Sequence, residues 1–426
     1  MALSSYCAIF LTLMRRDIAE EYNAVNRKIK ILYWTPFFLP DIGGIETLSA
    51  KLLPALKEQG YDVTVLTSHG KYGVADKTDF NGIPGFRFHT RNAIANCDLS
   101  RILGIRAQVT RLKQSFKPDL IHLHMSDPNV YFHLSTAAAC PAPTIVSIHQ
   151  DIEYFGFQGG DDTLLGNVLN MADWVTAVSG STLSDLLRIA PEIRNRSSVI
   201  YNGVDLSDIV SDPISFNPPR ILCLGRLIHA KGIDVAIAAF ALLLKRYPDA
   251  RLTIVGEGQQ RGQLEKQVEG LGLTDSVNFT GRVSPEEVPA IMNRATVVVM
   301  PSRVEGFPML ALEVARMARP LVATPAGGLP EAIVHERTGL IVEHENSPAI
   351  ADAVAFLLDH PEIASSMGQA ARLRVLETFS LKSCVDSYSG LYRRLAGAIP
   401  RSPVMMGKSD GYYAPGECPC AGLDSK

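Results

Sequence analysis

Residues 29–66 read IKILYWTPFFLPDIGGIETLSAKLLPALKEQGYDVTVL. Ile29 to Pro36 is a short apolar run stopped by a proline, which predicts a buried strand. The loop that follows contains Gly43 and Gly44. Leu48, Leu52, Leu53 and Leu56 then recur at helical spacing until Gly60 closes the segment. Val63 to Leu66 is the next strand. A strand, a glycine-bearing loop, a helix and a second strand form a βαβ opening, the unit from which parallel sheets are built.

The same alternation runs outward. Ile102, Ile105, Val109, Leu112 and Phe116 mark one helical face, and Pro118 ends it. Strands are predicted at Leu120–Leu123, Thr144–Ile148, Ala172–Val178 and Val199–Tyr201, the second of them ending at His149. Residues 205–219 are polar and carry three prolines, the composition of a linker. The pattern then restarts with a strand at Ile221–Leu224, a loop centred on Gly225 and a helix at Ile233–Leu244. Further strands follow at Leu252–Val255, Val277–Phe279, Val297–Met300, Leu321–Ala323 and Leu340–Val342. The predicted fold class is α/β, with two tandem Rossmann-like doubly wound parallel-sheet domains facing a cleft. Such sheets bind ligands beyond the carboxyl ends of their strands. The expected divisions are an N-terminal extension over 1–28, a first domain over 29–208, a second over 220–380, a helix over 381–397 and a disordered tail over 400–426.

Composition agrees with two sizeable cores. Of 426 residues, 46% are apolar and 20% charged, which excludes a mostly disordered, collagenous or coiled-coil chain. The net charge is −3 and neither half is strongly basic, so no nucleic-acid partner is expected. Seven scattered cysteines argue for a reducing compartment and a cytoplasmic location rather than a disulfide framework. No run reaches the 18 apolar residues of a membrane span. Leu3 to Met14 is mostly apolar, but Arg15 and Arg16 follow it, whereas a signal peptide carries its charge first. An extension or frayed helix, with Met14 as a candidate start, is favoured over a short membrane-associating segment. Cys418 and Cys420 in the tail have no second ligand pair nearby.

Two motifs carry chemistry. The first is Ser302-Arg303-Val304-Glu305-Gly306-Phe307-Pro308-Met309-Leu310-Ala311-Leu312-Glu313, with seven residues between two glutamates. Glu305 lies in the loop after a strand. Pro308 suits a first helical turn, and Glu313 falls inside the helix. A helix N-terminus favours a phosphate, and flanking carboxylates favour hydroxyls, as in a nucleotide sugar. On the pair alone, ordinary capping or solvent-facing acids are an equal reading. The second motif is Gly225-Arg226-Leu227-Ile228-His229-Ala230-Lys231-Gly232. Its two cations would stabilise a departing diphosphate, or would simply be solvated surface charges.

With these residues in view, the chain over about 29–397 resembles the retaining GT-B-fold glycosyltransferases of family 4. The resemblance rests on an ordered series: Gly43-Gly44-Ile45-Glu46, Pro118-Asp119-Leu120-Ile121-His122-Leu123-His124, Ala172 to Ser179, Val199 to Asp205, Gly225-Arg226-Leu227, Lys231-Gly232, Val255-Gly256-Glu257-Gly258, Phe279-Thr280-Gly281, and the glutamate pair. It implies that Arg226 and Lys231 hold the donor diphosphate. It implies that Glu305 hydrogen-bonds the transferred sugar and Glu313 the ribose. The Gly306–Leu310 turn, through backbone groups of Phe307, Met309 and Leu310, would contact phosphate and sugar. Gly43 and Gly44 would approach the diphosphate on closure, Gly281 and Arg282 would border the base, and His149 would lie near the transferred sugar and the acceptor. The family often has Gly where this chain has Pro308. The resemblance also implies that the helix over 381–397 crosses back to the first domain.

The resemblance implies a front-face substitution in which no protein nucleophile is needed and the departing diphosphate takes the acceptor proton. The expected partners are a nucleotide-diphosphate sugar as co-substrate and a glycan, lipid-linked or small-molecule acceptor. No cofactor is expected. No Asp-x-Asp occurs in the chain and no His/Cys/Asp cluster has metal spacing, so no metal requirement is expected either. Gly256-Glu257-Gly258 lacks its third dinucleotide glycine at the right spacing, which argues against NAD. His149 has a competing reading as a capping or core histidine. His122 and His124 are expected on opposite sides of their strand, the first structural and the second able to reach the cleft. The acceptor is expected around residues 124–165. The helix over 101–117 carries Arg101, Arg106, Arg111, Lys113 and Lys117 without an acid. A core-packing helix with a solvated outer face is favoured there over a contact with the membrane surface. Two other functions remain as alternatives: a sugar-nucleotide epimerase on the same fold, and a non-catalytic binding module, which would be expected to have lost Arg226, Lys231 or Glu305.

Overall fold

The computed structural model describes residues 27–41, 43–149, 163–205 and 211–397. The expectations for the N-terminal apolar run, for Gln150 to Gly160 in the acceptor segment, and for the tail with its two cysteines lie outside the described residues.

The first sheet comprises β1 (Lys30–Trp34), β2 (Asp62–Ser68), β3 (Lys77–Phe80), β4 (Ile83–Phe88), β5 (Leu120–His124), β6 (Thr144–Ile148), β7 (Trp174–Ala177) and β8 (Ser197–Val199). Their order is β3-β4-β2-β1-β5-β6-β7-β8. The second comprises β9 (Arg220–Leu224), β10 (Arg251–Val255), β11 (Val277–Gly281), β12 (Val297–Met300), β13 (Leu321–Ala323) and β14 (Leu340–Ile341), in the order β11-β10-β9-β12-β13-β14. Each chain half enters at the middle of its sheet, builds one side, then crosses to the other. The central strands are apolar on both faces because helices cover both. In β1, Ile31 and Tyr33 join one core while Leu32 and Trp34 join the other. In β9, Ile221 and Cys223 face one core and Leu222 the opposite one.

All pairings are parallel except that of β3 with β4. This hairpin went unread because β3 is a polar edge strand without an apolar run. Its turn is Asn81-Gly82, both at positive φ (52° and 73°), the dipeptide that two-residue hairpins favour. Lys57 Nζ, from the preceding helix, donates to both turn carbonyls at 2.8 and 2.9 Å.

The last described helix, Leu381–Ala396, belongs to the first domain's core. Cys384, Val385, Tyr388, Leu391 and Tyr392 are buried among Ile31, Tyr33, Leu48 and Leu52. Each such apolar side chain contributes roughly 1.5–3 kcal/mol by burial. Val204 bridges to Ser380 where the two interdomain crossings pass. The helix over Leu99–Phe116 differs from its predicted form at one cation. Lys113 was placed among its basic residues, yet its side chain is fully buried and donates to Thr136 Oγ1 at 2.9 Å.

Candidate active site

The strand order reverses between β1 and β5 in the first sheet and between β9 and β12 in the second. Loops leaving these switch points build the site.

On the second-domain side, the loop after β12 places Glu305, whose side chain is only 9% exposed. Lys231 Nζ donates to its Oε1 at 2.5 Å, and Ser302 Oγ donates to the same oxygen at 2.8 Å. Two glycines make this possible. Gly232 (φ 63°) packs against Pro301, where a Cβ would fall 2.0 Å from the carbonyl oxygen. Gly327 (φ 48°) lies against the Glu305 carbonyl, where a Cβ would fall at 1.7 Å. Arg303 clamps the same loop, giving two bonds to Asp234 (2.9 and 2.7 Å) and two to Glu345 (2.5 and 2.9 Å). Arg226, in the loop after β9, is exposed. Gly256 and Gly258 serve packing: a Cβ on either would strike the Gly225 or Leu227 carbonyl, within 2.2 Å.

The helix Met309–Arg316 begins just after Glu305. Pro308 sits at its cap rather than inside the first turn, and no side chain caps it. Its first amides, at Met309 and Leu310, therefore lie at the positive end of the helix. Phe307 is buried against Tyr201 and Phe379, so only its backbone can serve a ligand. Glu313 lies one turn in. Burial pushes its carboxyl up, opposed by Arg316 and by Lys51 of the first domain.

The first domain meets this wall through its glycine loop. A Cβ on Gly44 would lie 3.6 Å from Met309 Cγ, while one on Gly43 would strike the Glu46 carboxylate. Burial, with Asp41 nearby, holds the Glu46 carboxyl above its ordinary value, and Arg226 across the cleft opposes this only weakly. At the end of β11, Gly281 is followed by Arg282, whose guanidinium reaches Tyr72 of the first domain at 3.4 Å.

The histidines depart from expectation. His122 and His124 share one face of β5, as residues two apart on a strand do, with rings 4.4 Å apart. Neither lines the cleft: both side chains are fully buried. His122 bonds Tyr392 OH at 2.6 Å and Ser147 Oγ at 2.7 Å. His124 Nδ1 bonds His149 Nε2 at 2.7 Å. Burial holds His122 down at about 3 and His149 at about 4, so both are neutral near pH 7.

Three features had no counterpart in the sequence reading. Glu331 of the second domain accepts from the amides of Gly180 and Ser181 at 2.8 and 2.9 Å and from Tyr201 OH at 2.9 Å. It thereby caps a first-domain helix, Gly180–Ile189. Arg303 is the second feature. The third is an open pocket of about 430 Å³ lined by His69, Lys71, Tyr72, Asp76, His89 and Arg91. His69, Asp76 and His89 bring possible ligand atoms within 4.8 Å of one another, a grouping that their sequence spacing does not announce. All three features depend on segments brought together by topology.

Two parallel-sheet domains with both switch points open to one cleft define a GT-B architecture. Residues 42–208 match the family described as Glycosyltransferase Family 4, and residues 209–374 match Glycosyl transferases group 1. The chain belongs to the group 1 glycosyltransferases and is a glycosyltransferase enzyme. It is similar to glycogen synthase of Mycobacterium tuberculosis, 28% identical over 320 residues that cover 71% of this chain and 76% of that protein. Its fold matches sucrose-phosphate synthase of Thermosynechococcus elongatus (TM-score 0.76, 21% identity, 86% of this chain and 99% of that one). It also matches Anabaena HepE, solved in complex with UDP and glucose (TM-score 0.71, 18% identity, 86% of this chain and 100% of that one). Among the described residues, no helix is long and apolar enough to cross a membrane.

Proposed function

We propose that the enzyme transfers a sugar, with retention of configuration, from a nucleotide-diphosphate sugar to a hydroxyl of a glycan, lipid-linked or small-molecule acceptor. The observation that carries this reading is the Lys231–Glu305–Ser302 cluster at one switch point, facing the Gly43–Gly44 loop of the other domain. Arg226 and Lys231 take the diphosphate. The helix-start amides of Met309 and Leu310 add donors to it. Glu305 orients sugar hydroxyls, and Glu313 holds the ribose. His149 lies at the first-domain side of the sugar.

The bond between the anomeric carbon and the diphosphate oxygen breaks while the acceptor oxygen bonds the same face. The acceptor proton passes to the departing oxygen. The protein supplies position and cationic stabilisation of the leaving charge. That charge is met by fixed cations, and the chain has no Asp-x-Asp, so transfer proceeds without a metal ion. The acceptor enters on the first-domain side of the cleft. An epimerase would need an acid and a base around the sugar, and the match to transferase families along both halves of the chain speaks against it.

The test is a thermal-shift and hydrolysis screen over UDP-, GDP- and ADP-sugars, with and without EDTA. One nucleotide class should raise the melting temperature and be cleaved with the anomeric configuration kept. EDTA should leave the rate unchanged. Failure of every sugar nucleotide to bind would overturn the donor reading, and loss of cleavage in EDTA would overturn metal independence.

A further inference from the structure

We propose that Arg303 is a positioning residue for the transfer: it does not meet the ligand, but locks the loop that carries Glu305 to the turn that carries Lys231, so that the two side chains act as one unit. The inference rests on the proposed roles of Lys231 and Glu305 at the donor.

A cation two residues before Glu305 invites a reading as one more ligand of the diphosphate. The geometry decides against it. A guanidinium has five N–H donors in one plane. Nε donates to Glu345 Oε1 at 2.5 Å, and Nη2 donates to its Oε2 at 2.9 Å. Nη2 also donates to Asp234 Oδ2 at 2.7 Å. Nη1 donates to Asp234 Oδ1 at 2.9 Å and to the His229 carbonyl at 2.8 Å. These bonds use every hydrogen of the group, so none is left for a ligand oxygen. The side chain is only 15% exposed, and a diphosphate beside it would face two carboxylates. Lys231 differs: its Nζ has three hydrogens and donates to Glu305 alone among the described residues.

The contacts of Arg303 bracket Lys231 on the chain. Its guanidinium holds the His229 carbonyl before Lys231 and the Asp234 carboxylate after it. Its backbone amide donates to the Ala230 carbonyl at 2.8 Å, and the Val304 amide donates to the same oxygen at 3.3 Å. Between these anchors Lys231 Nζ meets Glu305 Oε1 at 2.5 Å. Through Glu345 the same group ties both loops to the segment after β14. Burial works against it, yet the bonds from Arg303 hold the Asp234 carboxyl below its ordinary value, so the clamp is charged at neutral pH. A lysine would keep the positive charge but offers its donors from a single point, and it cannot serve two carboxylates bidentately.

A double-mutant cycle tests this, read by steady-state kinetics on the donor found in the screen, with melting temperatures alongside. Arg303→Lys should lower turnover about tenfold or more although the charge is kept, because small displacements of positioned groups are costly. In the Glu305→Ala background the same substitution should cost less than about threefold, because the carboxylate it positions is gone. Asp234→Asn removes a charged partner of the clamp on the far side of Lys231 and should show the same coupling. It carries the test where Arg303→Lys does not fold. Turnover of a folded Arg303→Lys enzyme within about twofold of wild type would overturn the proposal. So would losses that multiply with Glu305→Ala, the pattern of a general loss of stability or of an independent ligand contact. Near-normal turnover in Glu305→Ala alone would sink the proposed site and this inference with it. A loss there beside either of the two preceding outcomes would sink the inference and leave the site standing.

Discussion

The two domains that flank the cleft hold the ionisable groups named below in different ways. The second domain pairs them. Lys231 meets Glu305, Arg303 meets Asp234 and Glu345, and Arg261 meets Glu257 and Glu265. The first domain neutralises them by burial. His122, His124, His133 and His149 are all pushed down, and Lys113 is brought to about 7. The contrast suits a ligand that is anionic at one end and uncharged at the other. A diphosphate needs permanent cations held in place by carboxylates. A neutral sugar and an acceptor hydroxyl need oriented hydrogen bonds without a charge that would compete for the leaving group.

The largest effect should come from the paired wall. Glu305→Ala removes the carboxylate that holds Lys231 and, on the proposed reading, orients the sugar, and it leaves a half-buried ammonium without that partner. Turnover should fall about 10²–10³-fold. Arg226→Ala should lose a comparable factor, because on the proposed reading it is one of the two cations that take the diphosphate. Steady-state kinetics on the donor identified in the screen checks both. Near-normal turnover in both variants would show that the charged wall is ordinary surface chemistry and would dissolve the contrast.

The charged wall was also the more legible one. Glycines, Arg226, Lys231 and the glutamate pair sit in two contiguous stretches, so their order on the chain nearly reproduces their order in space. The parallel strands were legible because helices on both faces make them continuous apolar runs. The buried wall was harder. His122 and His124 were read as pointing apart, although strand periodicity puts them together. Lys113 was counted as a surface cation, since nothing in its neighbours' spacing marks Thr136 as the acceptor waiting for it. Glu331 and the residues it caps are about 150 positions apart, a separation that local pattern does not span.

Glu331 is where the two walls join, and its removal should give an intermediate effect. Its carboxylate accepts two amides and one hydroxyl from the first-domain side. Hydrogen bonds to a charged group are each worth roughly 1.5–3 kcal/mol at most, and part of that returns as solvation when they break. Glu331→Ala should lower the melting temperature by about 2–6 °C. Turnover should fall by only about a factor of ten, since none of the proposed ligand contacts is lost. Differential scanning fluorimetry and kinetics separate the two. Unchanged melting would mean that the domains meet in solution without this contact.

The smallest effect on turnover belongs to Lys113, which tests burial itself. Its ammonium faces Thr136 and the ring of Trp34 with no carboxylate against it. Burial lowers it from 10.5 to about 7. In the unfolded chain Lys113 keeps its proton up to about 10.4, whereas in the folded chain it loses it above about 7. Between those values the unfolded state binds more protons, so stability contributed by this group rises with pH, by at most about 1.4 kcal/mol per unit. Below the folded value both states are charged and the contribution is flat. Lys113→Met removes the slope and keeps the volume. Urea unfolding at pH 7, 8 and 9 should therefore show wild type gaining on the variant as pH rises, with kcat alike throughout. A wild-type-minus-variant difference that does not change with pH would mean that the folded first domain tolerates a charged Lys113 without a paired acid. The two walls would then differ in their partners but not in how burial sets their charge.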